Sequence, residues 1–405
     1  MGTDFVIVGI QPWHLPLGGN CKDIALELSK SYRVLYVNPP VDRVTAWKSR
    51  TRKSGPAETL VQISATCWVF TPGIRIESLN WLPDNWLFDW LNRINNRRFA
   101  GCIRRAIRTL GFTQFNLFND SDMIRSFYLS ELLKPRQFIY YTRDNLLTVD
   151  YWKRHGQRLE PALMRKASLV VSNSAYLARL ASQHNPVTFD IGQGCNLTQF
   201  NASVSHPVPA DLRSVAFPKI GYIGALNASR LNINWLLALA TSRPDWNLVL
   251  VGPEDDAFRT SALHGLANVH FLGSKPMADL PAYLQHLDVA INPQQLNDLT
   301  IGNYPRKVDE YLAMGKPVVA LDTETMQLFA DYVILAKTFG QFMDGIDKAL
   351  AGEMPAPPAA CIDFARSHTW AQSVAKLMQA IRSVTTLKTL TATFQNDDSV
   401  RLSSK

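Results

Sequence analysis

No apolar run in this sequence of 405 residues approaches the roughly 20 residues that span a bilayer, so no membrane-crossing helix is expected. The first apolar run already begins at Phe5, which leaves no room for a secretory leader and points to the cytoplasm. Cysteine is scarce: Cys21, Cys67, Cys102, Cys195 and Cys361 are scattered without any pairwise ligand spacing. That pattern argues against a zinc site and against a disulfide framework, and leaves core or incidental thiols. Neither half of the chain opens with G-x-G-x-x-G, which disfavours a nicotinamide-dependent oxidoreductase. What remains is an ordinary soluble composition, with 46% hydrophobic and 19% charged residues.

The length exceeds one typical core, so two domains are expected. The net charge of +8 belongs to the first half: residues 1–200 carry 25 Lys and Arg against 15 Asp and Glu, whereas residues 201–405 carry 17 against 19. Acids are missing altogether between Asp89 and Asp120, where Arg93, Arg97, Arg98, Arg104, Arg105 and Arg108 cluster. Trp81, Trp86 and Trp90, with Leu87 and Leu91, precede or interleave with them. The stretch 86–108 therefore reads as a helix with an aromatic stripe and an Arg-rich flank. Such a helix either lies on an anionic membrane surface or turns its stripe to a core and its arginines to water. Nucleic acid is not expected as a partner, because the arginines are confined to one element and no binding motif accompanies them.

Along the chain, Phe5-Val6-Ile7-Val8-Gly9, a loop, a helix carrying Ile24, Ala25 and Leu28, and Arg33–Val37 form a βαβ opening. Further strands are expected at 67–71, 116–118, 138–141, 169–172 and 187–190, and alternation with helices predicts a parallel sheet covered on both faces. A Pro-, Ser- and Ala-rich stretch at 201–218 reads as an interdomain linker. A second alternating series follows, with strands at 219–224, 247–252, 269–273, 288–292, 317–321 and 332–335, and helices at 232–240, 277–286 and 306–314. The fold class is thus α/β, two doubly wound domains in series: 1–200 and 219–365, then a helix at 366–387 and a polar, loose tail at 388–405.

Ligands of open α/β sheets sit beyond the carboxyl ends of the strands, so the loops there are the candidates. In the first domain this is the loop with Gly18, Gly19 and Asn20 at the start of a helix, whose free N–H groups could meet an anion. In the second it is the strand end at Gly224, followed by Arg230 as a phosphate-pairing cation, and the long polar loop 292–304 with Asn303 and Tyr304. Pro305 opens a helix bearing Arg306, Lys307 and Glu310, and Gly315 ends it. Preorganised cations of this kind could hold an anionic ligand without a metal. Asp255-Asp256 reads as a solvated turn rather than a metal cage, and no metal is expected. Asp144, just after a first-domain strand, and His14, in the first loop, are the candidate catalytic bases.

These segments resemble a known family. Ile220–Arg230, VLVGPEDD, VHFLG, LPAYLQHLDVAINP and PRKVDEYLAMGKPVVA together look like the donor-binding half of GT-B glycosyltransferases, nearest glycosyltransferase family 4. The QPW and GGN loop and YYTRDN resemble a bacterial branch associated with cell-surface polysaccharide and teichuronic acid-type assembly. The resemblance implies two Rossmann-like domains facing across a cleft, a nucleotide-sugar co-substrate with no further cofactor, a glycan or lipid-linked acceptor, and retention of anomeric configuration. It carries the ribose-binding carboxylate onto Glu310 and a diphosphate cation onto Arg230. Two positions depart from it: Ala225 stands where the family has Arg, and Gly302 where it has the first Glu of E-x7-E. Those departures keep a non-catalytic nucleotide-sugar or glycan-binding subunit open as an alternative, beside a nucleotide-sugar epimerase of the same fold.

Overall fold

A computed structural model describes residues 3–15, 19–48 and 57–402. The chain divides into two compact units: unit 1 comprises residues 1–192 and 370–405, and unit 2 residues 193–369.

Unit 1 contains strands β1 (Asp4–Gly9), β2 (Val34–Val37), β3 (Val41–Asp42), β4 (Thr59–Ser64), β5 (Cys67–Thr71), β6 (Arg75–Ile76), β7 (Phe115–Asp120), β8 (Gln137–Thr142), β9 (Leu169–Ser172) and β10 (Thr188–Asp190). Its helices are α1 (Asn20–Leu28), α2 (Arg43–Lys48), α3 (Trp86–Thr109), α4 (Leu129–Leu133), α5 (Asp150–Lys166) and α6 (Ala175–Ser182). Eight strands form one sheet in the order β10-β9-β8-β7-β1-β2-β5-β4, all parallel except the β4–β5 pair, and β3 and β6 form a separate ribbon. Alternate residues serve opposite faces. Val6, Val8, Phe138 and Tyr140 enter one core, and Phe5, Ile7, Ile139 and Tyr141 enter the other. That two-sided burial is why the strands read as continuous apolar runs.

Unit 2 contains β11 (Lys219–Ile223), β12 (Asn247–Val251), β13 (Val269–Gly273), β14 (Val289–Asn292), β15 (Val318–Leu321) and β16 (Ile334–Ala336). Its helices are α7 (Ile233–Ser242), α8 (Asp256–Arg259), α9 (Leu280–Gln285), α10 (Arg306–Ala313), α11 (Phe339–Leu350) and α12 (Pro358–Ser367). Its parallel sheet runs β13-β12-β11-β14-β15-β16. The chain then leaves unit 2, and the long final helix α13 (Trp370–Leu402) belongs to unit 1, where Trp370, Val374, Leu377, Ala380, Ile381 and Val384 complete the second core.

The boundaries depart from the expected ones. The stretch 201–218 is part of unit 2 rather than a linker: Leu212 and Val215 enter its core, and Asp211 binds Lys275 Nζ at 2.6 Å and accepts from Tyr283 Oη at 2.8 Å. Pro and Ser made the composition look loose, but two apolar anchors suffice to pack it. The segment 388–402, expected to be loose, continues α13, and it contains neither Gly nor Pro to break a helix.

Candidate functional site

Among the parallel strands of each sheet the order of connection reverses once, between β1 and β7 in unit 1 and between β11 and β14 in unit 2. The strand ends on either side of such a reversal leave a crevice for ligands.

In unit 2, β11 delivers Gly224 with φ 150°, a conformation that disfavours any other residue. A Cβ there would come 3.1 Å from both Lys307 Cε and Tyr222 Oη, so the bare backbone lets the Lys307 stem lie across the strand end. The Lys307 ammonium stands 4.9 Å from the Tyr222 ring centroid, a cation–π contact that holds it in place. Helix α10 is pinned to the same strand by Tyr311, which is fully buried; its Oη accepts from Ile223 N at 2.9 Å and donates to Ile223 O at 3.1 Å. Pro305 caps the helix one residue before its first turn, and Gly315, at φ 66°, follows its end. Val308, Asp309, Tyr311 and Leu312 face inward, which leaves Arg306, Lys307 and Glu310 half-buried. Both cations lie one helical turn before Glu310, at the spacings that bring side chains together. Burial pushes the Glu310 carboxyl up to about 7 against the pull of Arg306 and Lys307, and Asp309 adds to the rise.

The loops of this site are sewn to each other. Gln295 N donates to Arg230 O at 2.9 Å, and Asn297 Nδ2 to Ser229 O at 2.8 Å, so the loop after β11 is fixed to the loop after β14. Arg230 itself is exposed, and no ion pair engages it among the described residues. Asn303 Oδ1 is buried and has no hydrogen-bond partner among the described residues. Tyr304 turns its hydroxyl to His368, 3.0 Å from Nδ1, so that group is engaged inside the unit. The same ring nitrogen lies 2.7 Å from Asp309 Oδ1, and the Cys195 thiol donates to Asp309 Oδ2 at 3.1 Å. This buried polar set behind α10 escaped the sequence reading, whose only hint was an acidic residue at 309 beside Glu310. Asp255 accepts from Phe258 N and Ala228 N, and Asp256 pairs with Arg259, so both carboxylates serve the turn.

In unit 1, β7 ends at Asp120, which is fully buried and paired in register with Gly9 of β1. Arg143 Nε donates to Asp120 Oδ1 at 2.9 Å and Nη1 to Asp144 Oδ2 at 3.2 Å. Burial opposes the Arg143 charge, but the two carboxylates more than offset it and hold its pKa above the ordinary value. Helix α1 starts at Asn20 with Gly19 as its cap, and Asn20 Nδ2 donates to Tyr141 Oη at 3.3 Å. The Cys21 thiol is pushed up by burial and by Asp120 while Arg143 pulls it down, so the first turn of α1 lies close to that ion pair. The structure thus gathers Asn20, Asp120, Arg143 and Asp144 at the reversal; Asp120 and Arg143 were not singled out from sequence. His14 is exposed on the loop after β1. Gly18 lies outside the described residues.

Two Rossmann-like units of this kind define the GT-B fold, and comparison with solved structures agrees. Sucrose-phosphate synthase of Thermosynechococcus elongatus superposes with a TM-score of 0.68 at 17% identity, over 95% of this chain and 100% of that one. The α,α-trehalose-phosphate synthase of Burkholderia vietnamiensis gives 0.69 at 12%, over 95% and 99%. Anabaena HepE, solved in complex with UDP and glucose, gives 0.63 at 16%, over 94% and 100%. Within that fold, residues 217–351, the segment that holds Gly224 and α10, match the model of the family described as Glycosyl transferases group 1. Over 186 residues the chain is also 26% identical to TuaH of Bacillus subtilis, a protein assigned to teichuronic acid biosynthesis as a glycosyltransferase. That match spans 44% of this chain and 46% of TuaH, less than half the length of either.

Proposed function

We propose that the protein transfers a sugar from a nucleotide-sugar donor to a cell-surface glycan or its lipid-linked precursor. The observation that carries this reading is the face of α10: a carboxylate and two cations at one helical turn's spacing, with Lys307 laid against the bare backbone of Gly224, inside the segment that matches the glycosyltransferase family. Glu310 offers acceptors for ribose hydroxyls. Lys307 and Arg306 supply positive charge for a diphosphate, replacing the cation that Ala225 lacks, and Arg230 extends that charge on the neighbouring loop. Charge developing on the leaving diphosphate is then stabilised by groups already in place, a metal-independent course. With Asp144 held by Arg143, a retaining course that needs no separate protein base on the acceptor hydroxyl is the simpler one, as for the family it resembles.

The proposed setting is the inner face of a membrane. No described helix is long and apolar enough to cross one. On α3, however, Trp86 and Trp90 are 77% and 57% exposed, and the stripe continues through exposed Arg93 and Arg97. Indole rings followed by guanidiniums that form no ion pair among the described residues, Arg93 lying over the Tyr128 ring, suit the interface of an anionic bilayer.

A panel of nucleotide sugars tests the chemistry through donor hydrolysis, since transferases leak sugar to water. One donor is expected to be consumed slowly by the wild type and at least about tenfold more slowly by Lys307→Ala, as befits loss of a charge-assisted bond. Nucleotide binding without consumption of any donor, with or without glycan acceptors, would leave a non-catalytic subunit instead.

A further inference from the structure

Unit 1 holds a cavity of about 790 Å³, within the range of small-molecule sites. It lies between the β3–β6 ribbon, the first half of α3, the turn after β7 and the start of α5, represented by Asp42, Ile76, Asn92, Arg125 and Tyr151. Neither Asn20, Asp120, Arg143 nor Asp144 lines it, so it is separate from the polar cluster at the β1–β7 reversal.

The wall combines two rigid aromatic surfaces with unsatisfied amides. Trp81 is 70% exposed, yet its Nε1–H donates to Ser78 O at 2.7 Å, which fixes the ring. Tyr151 is 54% exposed and braced edge-on by Trp152 at 5.0 Å. Asn92 is 1% exposed; its Oδ1 accepts from Asn96 Nδ2 at 3.1 Å, while its own Nδ2 has no partner among the described residues. Asn80 Oδ1 is likewise buried and unpartnered. A buried donor and a buried acceptor left open in one wall are costly unless something completes them.

The charges narrow the choice of ligand. Asp42, Glu77 and Asp150 face the cavity against Arg125 and Arg154. Arg125 is ion-paired with Asp122 at 2.9 Å and Glu77 with Arg43 at 3.0 Å, while Arg154 donates to Asn80 O at 3.0 Å. For a phosphate or carboxylate that leaves only Arg154, whose guanidinium is already tied to a backbone carbonyl, against the carboxylates of Asp42 and Asp150. A neutral molecule with apolar C–H faces and many hydroxyls fits both the rings and the amides.

We propose that this cavity is a saccharide subsite that takes a neutral sugar unit of the acceptor glycan away from the bond being formed, an inference that rests on the transfer reading above. Both aromatic platforms are exposed, so their removal leaves the core intact. Saturation-transfer NMR on the full chain, with the methyl glycosides of glucose, galactose, N-acetylglucosamine and glucuronic acid as probes, tests it. At least one neutral glycoside is expected to receive saturation, with a signal lowered about fivefold or more in Tyr151→Ala and Trp81→Ala and unchanged by UDP. Absence of binding, binding of the glucuronide alone, or signals that persist in both variants would overturn it. Donor hydrolysis in the same samples separates the failures. Hydrolysis without glycoside binding removes the subsite and leaves transfer standing, whereas ring-dependent binding without hydrolysis keeps the subsite and removes transfer.

Discussion

Glu310 and Glu160 show how burial turns a carboxylate into a pH-sensitive group, one in each unit. Burial raises Glu310 to about 7, so near neutrality it is only partly ionised. If its ionised form accepts the ribose hydroxyls, nucleotide affinity rises with pH through about 7 and then levels. Calorimetric titration of UDP against pH should show this limb in the wild type. Glu310→Gln should lose it, together with about tenfold or more in affinity. Glu160 is 6% exposed in the core of unit 1, accepts from Tyr140 Oη at 2.7 Å, and is raised to about 7 by burial, against which Tyr140 pulls. The folded chain therefore holds this proton more tightly than the unfolded chain does. The resulting stabilisation is complete below 4.5, the ordinary value, and is lost as pH rises through about 7. Chemical denaturation at about pH 5 and 8 should find wild-type stability falling by up to about 3 kcal/mol from this group, and by clearly less in Glu160→Gln.

Among the elements, α3 and α10 were both legible from their residues, for different reasons. Helix α10 announced itself through Pro305, Gly315 and the apolar run that follows, local signals that need no tertiary knowledge. Helix α3 was legible as a helix, but periodicity could not say whether Trp86 and Trp90 met a core or water; the fold turns Phe88, Phe99 and Ile103 inward and leaves both indoles outside. Vesicle flotation checks the consequence. Wild type should bind liposomes rich in phosphatidylglycerol more weakly as salt rises, while Trp86→Ala/Trp90→Ala and Arg93→Glu/Arg97→Glu should each lose most of that binding, at about 1 kcal/mol per charge. What sequence could not reveal lies in pairs distant along the chain. Asp120 and Arg143 are 23 positions apart, and Asp309 and His368 are 59 apart, so only the folded sheet brings them together. The β3–β6 ribbon has two residues per strand, and β4 is an edge strand with Val61 and Ile63 half exposed, so neither leaves a buried alternation to detect.

For the molecule as a whole, the series of two α/β domains was readable because the βα alternation restarts at Lys219, but the allocation of chain to units was not. Nothing local in SHTW marks the return of the chain to unit 1. Leu377 is fully buried there, so Leu377→Ala should cost about 2–5 kcal/mol and lower the melting of unit 1. UDP affinity, which belongs to unit 2 in this reading, should stay unchanged; thermal melts with and without UDP report both. The two crossings, after Gly192 and after Thr369, also set an order of birth on the ribosome. Unit 2 has all of its residues before α13 is made, whereas the face of unit 1 carrying Phe5, Ile7, Phe118 and Ile139 must wait for α13 to complete its cover. Until α13 is made the nascent protein thus displays an unfinished apolar sheet, and a chain lacking α13 would be sticky, a natural client for chaperones and proteases.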